Sequence, residues 1–169
     1  MTGTDTTRGA VSFGQALAIA ALIIALDQLA KFYATQHLGY GVPTRVLPSF
    51  NLTLLHNTGA AFSLLADAPG WQRWLFSGLA LVASTYILWL LRGTDVQGAP
   101  YRVGLSLVLG GALGNLIDRV RLGYVVDFIQ IFYRHWYFPA FNIADSAISI
   151  GAALIILASV LPQRATVAR

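Results

Sequence analysis

Asp127 and Asp145 lie eighteen residues apart, each at the edge of a long apolar run, in a chain whose seven acidic residues are all aspartates. A carboxylate at the rim of a lipid-embedded segment is expensive, so its presence calls for a reason. Two of them brought to one place can share a proton and activate a water, which is the chemistry of an aspartic protease. Asp145 alone has an ordinary explanation. It falls three residues after Asn142, a good helix N-cap, in a first turn where the helix dipole favours an acid. Asp127, in the apolar and strand-like context Val125-Val126-Asp127-Phe128, has no such explanation. The pair therefore weighs more than either member.

Other polar residues sit in similar places. Asp27 and Lys31 are four apart, so they share a helix face. They pair to make that end of the helix tolerable in a membrane, or they serve the site directly; Lys31 could also snorkel to the headgroups. His56-Asn57-Thr58-Gly59-Ala60-Ala61-Phe62-Ser63 passes from polar to small residues. Locally it reads as a turn into a surface-lying segment, with Asn57 offering donors and an acceptor and Gly59 permitting close backbone approach. Gly110 to Arg119 joins a G-x-x-x-G to Asn115, Asp118 and Arg119. The glycines predict a close helix contact. Arg119, on the face of Asn115, can hold a carboxylate or a backbone carbonyl, or snorkel. Tyr133, Trp136, Tyr137 and Phe138, with Arg134 and His135, read as an interfacial belt.

The elements that must position these residues follow from composition. The 169 residues are 56% hydrophobic and 11% charged, whereas soluble domains carry about 25% charged residues. Lipid is the solvent this implies, and one integral membrane domain over 1–169 is the expected count. About 20 residues, at about 1.5 Å each, cross about 30 Å of hydrocarbon. Apolar runs at 13–35, 71–91, 102–120 and 143–161 meet that length, the last stopping at Pro162. Residues 1–10 are polar, and the run after them exceeds the roughly 7–15 residues of a signal-peptide core, so a retained first span is expected. In 36–70, Phe50, Leu52 and Leu54 alternate with Asn51 and Thr53 as in a strand, and Pro43, Pro48 and the Gly39/Gly41 pair mark turns. Residues 92–100 read as a short loop. The expected fold is an all-α membrane protein with four transmembrane helices and a small extramembrane β-strand platform between helices 1 and 2.

Four spans put both termini on one side and segments 36–70 and 121–142 on the other. Asp27, Lys31, Asn57, Asn115, Asp118, Arg119, Asn142 and Asp145 then gather toward the second side, with Asp127 at the depth of Asp145. Charge does not orient the chain: five basic residues lie on the terminal side and six on the other, or four once Lys31 and Arg119 are set aside. The scattered basic residues exclude a nucleic-acid patch, and the absence of cysteine excludes thiol chemistry. His37, His56 and His135 show no ligand spacing, so no metal is expected. A proton-coupled transporter would spread its ionisable groups along a path across the membrane, yet Trp74–Leu91 carries no charge. A scaffold built on the G-x-x-x-G would not need Asp127. A different class of intramembrane aspartyl protease would want Gly-x-Gly before one aspartate, where this chain has Tyr124-Val125-Val126.

The blocks LDQLAK at 26–31, NTGAAFS at 57–63, GGALGNLIDR at 110–119, VVDF at 125–128 and FNIADSAI at 141–148 together resemble lipoprotein signal peptidase, or signal peptidase II. The likeness spans about 20–160. It implies a bacterial inner-membrane aspartyl protease that removes the signal peptide from diacylglyceryl-modified prolipoproteins, just before the lipid-bearing cysteine, without metal or other cofactor. It implies Asp127 and Asp145 as the catalytic pair, and Asp27, Asn57, Gly59, Asn115, Arg119 and Asn142 as supporting or substrate-binding residues. It further implies cytoplasmic termini, a site toward the periplasm and a globomycin-type inhibitor in the site; contact with membrane lipid and a chain that works as a monomer are also expected.

Overall fold

The computed structural model describes residues 11–59, 70–93 and 98–160. In chain order the elements are α1 (Phe13–His37), β1 (Thr44–Leu47), β2 (Phe50–Asn57), α2 (Gln72–Arg92), α3 (Gly98–Arg121), β3 (Val125–Tyr133), β4 (Trp136–Tyr137) and α4 (Ile143–Val160). All four helices are long and apolar enough to cross a membrane. α1 opens with a capping box, in which the Ser12 hydroxyl accepts from the Gln15 N–H while Gln15 returns a bond to the Ser12 N–H. α3 corrects an expectation. It starts at Gly98 rather than 102, because the proline at 100 stands in the first turn, where a missing N–H costs no helical bond. Pro162, the expected stop of α4, lies outside the described residues.

α3 is the central helix: half of its apolar window is buried, against 17% for each of the other spans. Two glycine rows explain how. A Cβ on Gly110 would stand 2.8 Å from the Ala20 carbonyl oxygen, and one on Gly114 2.8 Å from an Asp27 oxygen, so this row admits α1. A Cβ on Gly104 would stand 2.7 Å from the Gly151 carbonyl, and one on Gly111 would run into the Ala144 carbonyl, so the second row admits α4. Apolar faces gain little from meeting one another rather than lipid tails, and such close backbone approach supplies the dispersion that holds helices together.

α2 joins α3 through a reciprocal pair of arginines. Arg73, at the start of α2, donates to the Val120 carbonyl at 2.8 Å. Arg102, near the start of α3, donates to the Leu91 and Gly93 carbonyls at 2.6 and 3.1 Å. Both cations thus satisfy carbonyls that the partner helix leaves without acceptor bonds at its C-terminal end, where the dipole favours positive charge.

The expected platform is present, and the structure adds to it. The sheet runs β1-β2-β3-β4, antiparallel throughout, and its second half comes from the α3–α4 connection. The β2–β3 register pairs Leu55 with Asp127 and Asn57 with Val125, with a shift between Leu52 and Leu55. This register brings Asn57 beside the first aspartate. Ala34, Leu54, Val126 and Phe128 form the cluster that fastens the sheet to the end of α1. Tyr133, Trp136 and Tyr137 stand exposed on the β3–β4 hairpin, as an interfacial belt requires.

Candidate active site

β3 brings Asp127, 2% exposed, against the first turn of α4, which carries Asp145. One residue touches both. The Asn142 side-chain amide donates to Asp127 Oδ1 at 2.7 Å, while its Oδ1 accepts the Asp145 N–H at 2.9 Å and its own N–H donates to Asp145 Oδ2 at 3.3 Å. The helix cap foreseen for Asn142 is therefore real, and the same side chain ties the cap to the strand. Two further amides complete the pair. Asn57 donates to Asp127 Oδ2 at 3.1 Å, and Asn115 donates to Asp145 Oδ1 at 2.7 Å. Each carboxyl group faces two N–H donors, aimed by β2, α3 and the α4 cap.

Behind this layer Asp27 and Lys31 do pair, at 2.8 Å, both buried. They pair within a larger network. Lys31 Nζ also lies 2.8 Å from Asp118 Oδ2 and donates to Asn115 Oδ1 at 2.9 Å. Asp27 Oδ1 accepts the N–H of Ala144 at 2.9 Å, and Asp118 Oδ2 accepts the N–H of Val126 at 3.1 Å. Gln28 donates to Asp118 Oδ1 at 2.9 Å and to the Gly114 carbonyl at 3.2 Å. Asp118 and Gln28 were not among the candidate site residues. Asp118 stands one turn from Asn115, and Gln28 is next to Asp27, which is as far as spacing could point. Burying each ion costs several kcal/mol, and removing one partner of such a pair costs about 3–5 kcal/mol. The network is therefore poor glue and a strict constraint.

Arg119 takes the second of its three options. Its Nη2 donates to the Gly59 carbonyl at 3.2 Å and its guanidinium lies 5.4 Å from the centre of the Phe76 ring. The Gly59 N–H in turn donates to Asn57 Oδ1 at 3.0 Å. Because that oxygen is occupied, the Asn57 NH₂ faces Asp127. Ala60, Ala61, Phe62 and Ser63, the rest of the polar-to-small run, lie outside the described residues.

The Asp127 carboxyl is pushed up to about 7, first by burial and then by the charge of Asp145, against the pull of the Asn57 and Asn142 hydrogen bonds and of Lys31. A proton is thus held in the pair near neutral pH. Asp145, Asn115 and Arg119 border a groove of about 780 Å³ between α2, α3 and α4. The walls along it are apolar or small, among them Leu79, Ala83, Val108, Ala112 and Ile148. Among the described residues, no three His, Cys, Asp or Glu side chains come together as metal ligands.

The chain resembles known proteins over most of its length. The family model for signal peptidase (SPase) II matches residues 19–161. A lipoprotein signal peptidase from Acinetobacter baumannii is 54% identical over 142 residues, covering 83% of this chain and 80% of the relative. One from Polynucleobacter necessarius is 55% identical over 140 residues, covering 83% and 85%. A bacterial membrane enzyme solved by the in meso method at 2.3 Å superposes with a TM-score of 0.79 at 30% identity, over 95% of this chain and 99% of that one. A second, at 1.9 Å, gives 0.72 at 32% identity, over 93% and 99%. With membrane-spanning helices and paired carboxyl groups already in place, these matches settle the family: the chain belongs to the signal peptidase II family of proteases, whose function is to remove signal peptides from prolipoproteins.

Proposed function

We propose that Asp127 and Asp145 are the catalytic pair with which this signal peptidase II cuts its substrate. The observation that carries the reading is the bridge made by Asn142, which holds two carboxyl groups together in a desolvated site at the border of an apolar groove. Asp127, the more deeply buried, holds the proton; Asp145, in the first turn of α4, carries the negative charge beside the helix N-terminus. Asp145 takes a proton from water as the water oxygen attacks the scissile carbonyl, and Asp127 donates its proton to the developing oxyanion. Asp145 then protonates the leaving amine as the C–N bond breaks, and Asp127 recovers a proton from the tetrahedral intermediate. Both groups return to their starting states.

The groove suits a signal-peptide helix entering sideways from lipid, with diacylglyceryl chains left in the membrane and the cut falling just before the lipidated cysteine. A globomycin-type inhibitor would occupy the same groove. A working monomer is part of the same proposal. We place the termini in the cytoplasm of a bacterial cell and the site at the periplasmic face of the inner membrane. Charge does not decide the side: with Lys31, Arg102 and Arg119 set aside as engaged within the protein, Arg45, Arg73, Arg121 and Arg134 stand against Arg8, Arg92, Arg164 and Arg169.

The test is incubation of purified protein with a diacylglyceryl-modified precursor and with its unmodified form. Cleavage of the modified precursor alone is expected, with Asp127→Asn and Asp145→Asn folded but slower by about 10³-fold or more. Equal cleavage of both precursors would refute selection by lipid. Full turnover in either variant would refute the catalytic pair.

A further inference from the structure

An ammonium group has three N–H donors and no acceptor. Those of Lys31 are directed to three groups: Asp27 Oδ2 at 2.8 Å, Asp118 Oδ2 at 2.8 Å and Asn115 Oδ1 at 2.9 Å. Each arm then goes on to the catalytic pair. Asp27 holds the N–H of Ala144, the residue before Asp145. Asp118 holds the N–H of Val126, the residue before Asp127. Asn115 donates to Asp145 itself. β3 and the start of α4 come from different parts of the chain, yet both are referenced to a single nitrogen atom on α1.

We propose that Lys31 is a positioning residue for catalysis, setting the separation and facing of Asp127 and Asp145 through Asp27, Asp118 and Asn115. The inference rests on the reading of those two aspartates as the catalytic pair. An ion pair present for stability alone needs one carboxylate. This ammonium holds two, and each carboxylate also accepts a backbone N–H immediately before a reacting residue, Asp27 through its second oxygen and Asp118 through the same oxygen that meets Lys31. The Asn115 arm also sets the amide: with its oxygen taken by Lys31, its NH₂ faces Asp145. An arginine keeps the charge, but its planar fork does not radiate to three acceptors around one atom.

The test uses the full chain in detergent with a diacylglyceryl-modified precursor, measuring kcat, KM, the pH profile of kcat and the melting temperature. Lys31→Met is expected to lower kcat about 100-fold, the scale of an ångström-sized misplacement, with KM changed less than about threefold. Lys31→Arg is expected to recover most of the melting temperature but not kcat. Asp118→Asn is expected to lower kcat about tenfold and displace the pH profile, and combining it with Lys31→Met should cost no more than Lys31→Met alone. Wild-type kcat and pH profile in Lys31→Arg would overturn the proposal, as would additive losses in the double variant. Should Lys31→Met not fold, Lys31→Arg and Asp118→Asn decide the matter. Asp127→Asn separates the two ideas: its retention of turnover removes the catalytic pair itself, whereas an inactive Asp127→Asn beside a fully active Lys31→Arg removes positioning alone.

Discussion

Toward the termini, the helices meet through Ala16, Ala20, Ile87, Leu91, Leu105 and Leu109, with Gly104 of α3 against Gly151 of α4. Toward the sheet, the same helices meet through Asp27, Lys31, Asn115, Asp118 and Asn142, all buried. The contrast follows from the solvent. Apolar side chains are as well served by lipid tails as by one another, so apart from Arg102, which ties α3 to the end of α2, the terminal end is held by close fit and can be repacked. Polar groups have no such alternative, and each bond they make has a direction as well as an energy. One end of the bundle holds the helices together, and the other tells two carboxyl groups where to stand.

Asn142→Ala against Leu109→Ala would break that contrast most directly. Loss of Asn142 removes the bond to Asp127, the bond to Asn115 and the cap of α4. Turnover is expected to fall about 10²–10³-fold, with about 1 kcal/mol of stability lost from the cap. Leu109→Ala leaves a cavity without the water-transfer penalty of a soluble core, so roughly 1–2 kcal/mol of stability should go. Its turnover should stay within about twofold of wild type. Steady-state kinetics and thermal melts in one detergent decide it, and a larger turnover loss in Leu109→Ala would erase the distinction.

The site end should also titrate. With the Asp127 carboxyl held up to about 7, the pair keeps its proton below that pH and loses it above. The acid that protonates the carbonyl oxygen is then gone, and kcat should fall about tenfold per pH unit on the alkaline side. The Asn57 bond favours the ionised form of Asp127 and so lowers this value. Asn57→Ala should therefore move the alkaline limb upward, by roughly half to one pH unit. A downward shift in the pH–kcat profile would contradict the assignment.

The two ends also differ in how plainly they can be read from residues. The spans are legible because lipid excludes charge, and Asp127 and Asp145 stand out for the same reason. Asp27 and Lys31 announce their pairing by helical spacing. Asn142 announces its role as a cap, but not its reach to Asp127, which depends on where β3 lies. Val125 to Ile131 of β3 pair with a strand far upstream, Val125 with Asn57 and Ile131 with Phe50, and no local pattern names that partner. Asp118 is obscured by its neighbours, and the group it serves is a backbone N–H eight residues on, which no side-chain spacing reveals. Arg119 had three chemically reasonable targets, and only the fold chooses the Gly59 carbonyl.

The finest test uses one substitution at two depths of one helix pair. Gly104 and Gly111 are seven residues apart on the face of α3 that meets α4, and at both an added Cβ meets a carbonyl of α4. Gly104→Ala presses on Gly151 and Ile155, far from the pair, whereas Gly111→Ala presses on Ala144, whose N–H is held by Asp27 and whose neighbour is Asp145. Overpacking of this kind costs about 1–3 kcal/mol wherever it occurs, so the two melting temperatures should fall alike. Turnover should not. In Gly104→Ala the terminal half of α4 can tilt outward into lipid while its first turn stays bonded, and kcat should change by less than about twofold. In Gly111→Ala the first turn itself must move, and a shift of a few tenths of an ångström is expected to cost about tenfold. Equal losses of turnover would mean that α4 moves as a rigid rod, and the division of the bundle into a holding end and a positioning end would fail with it.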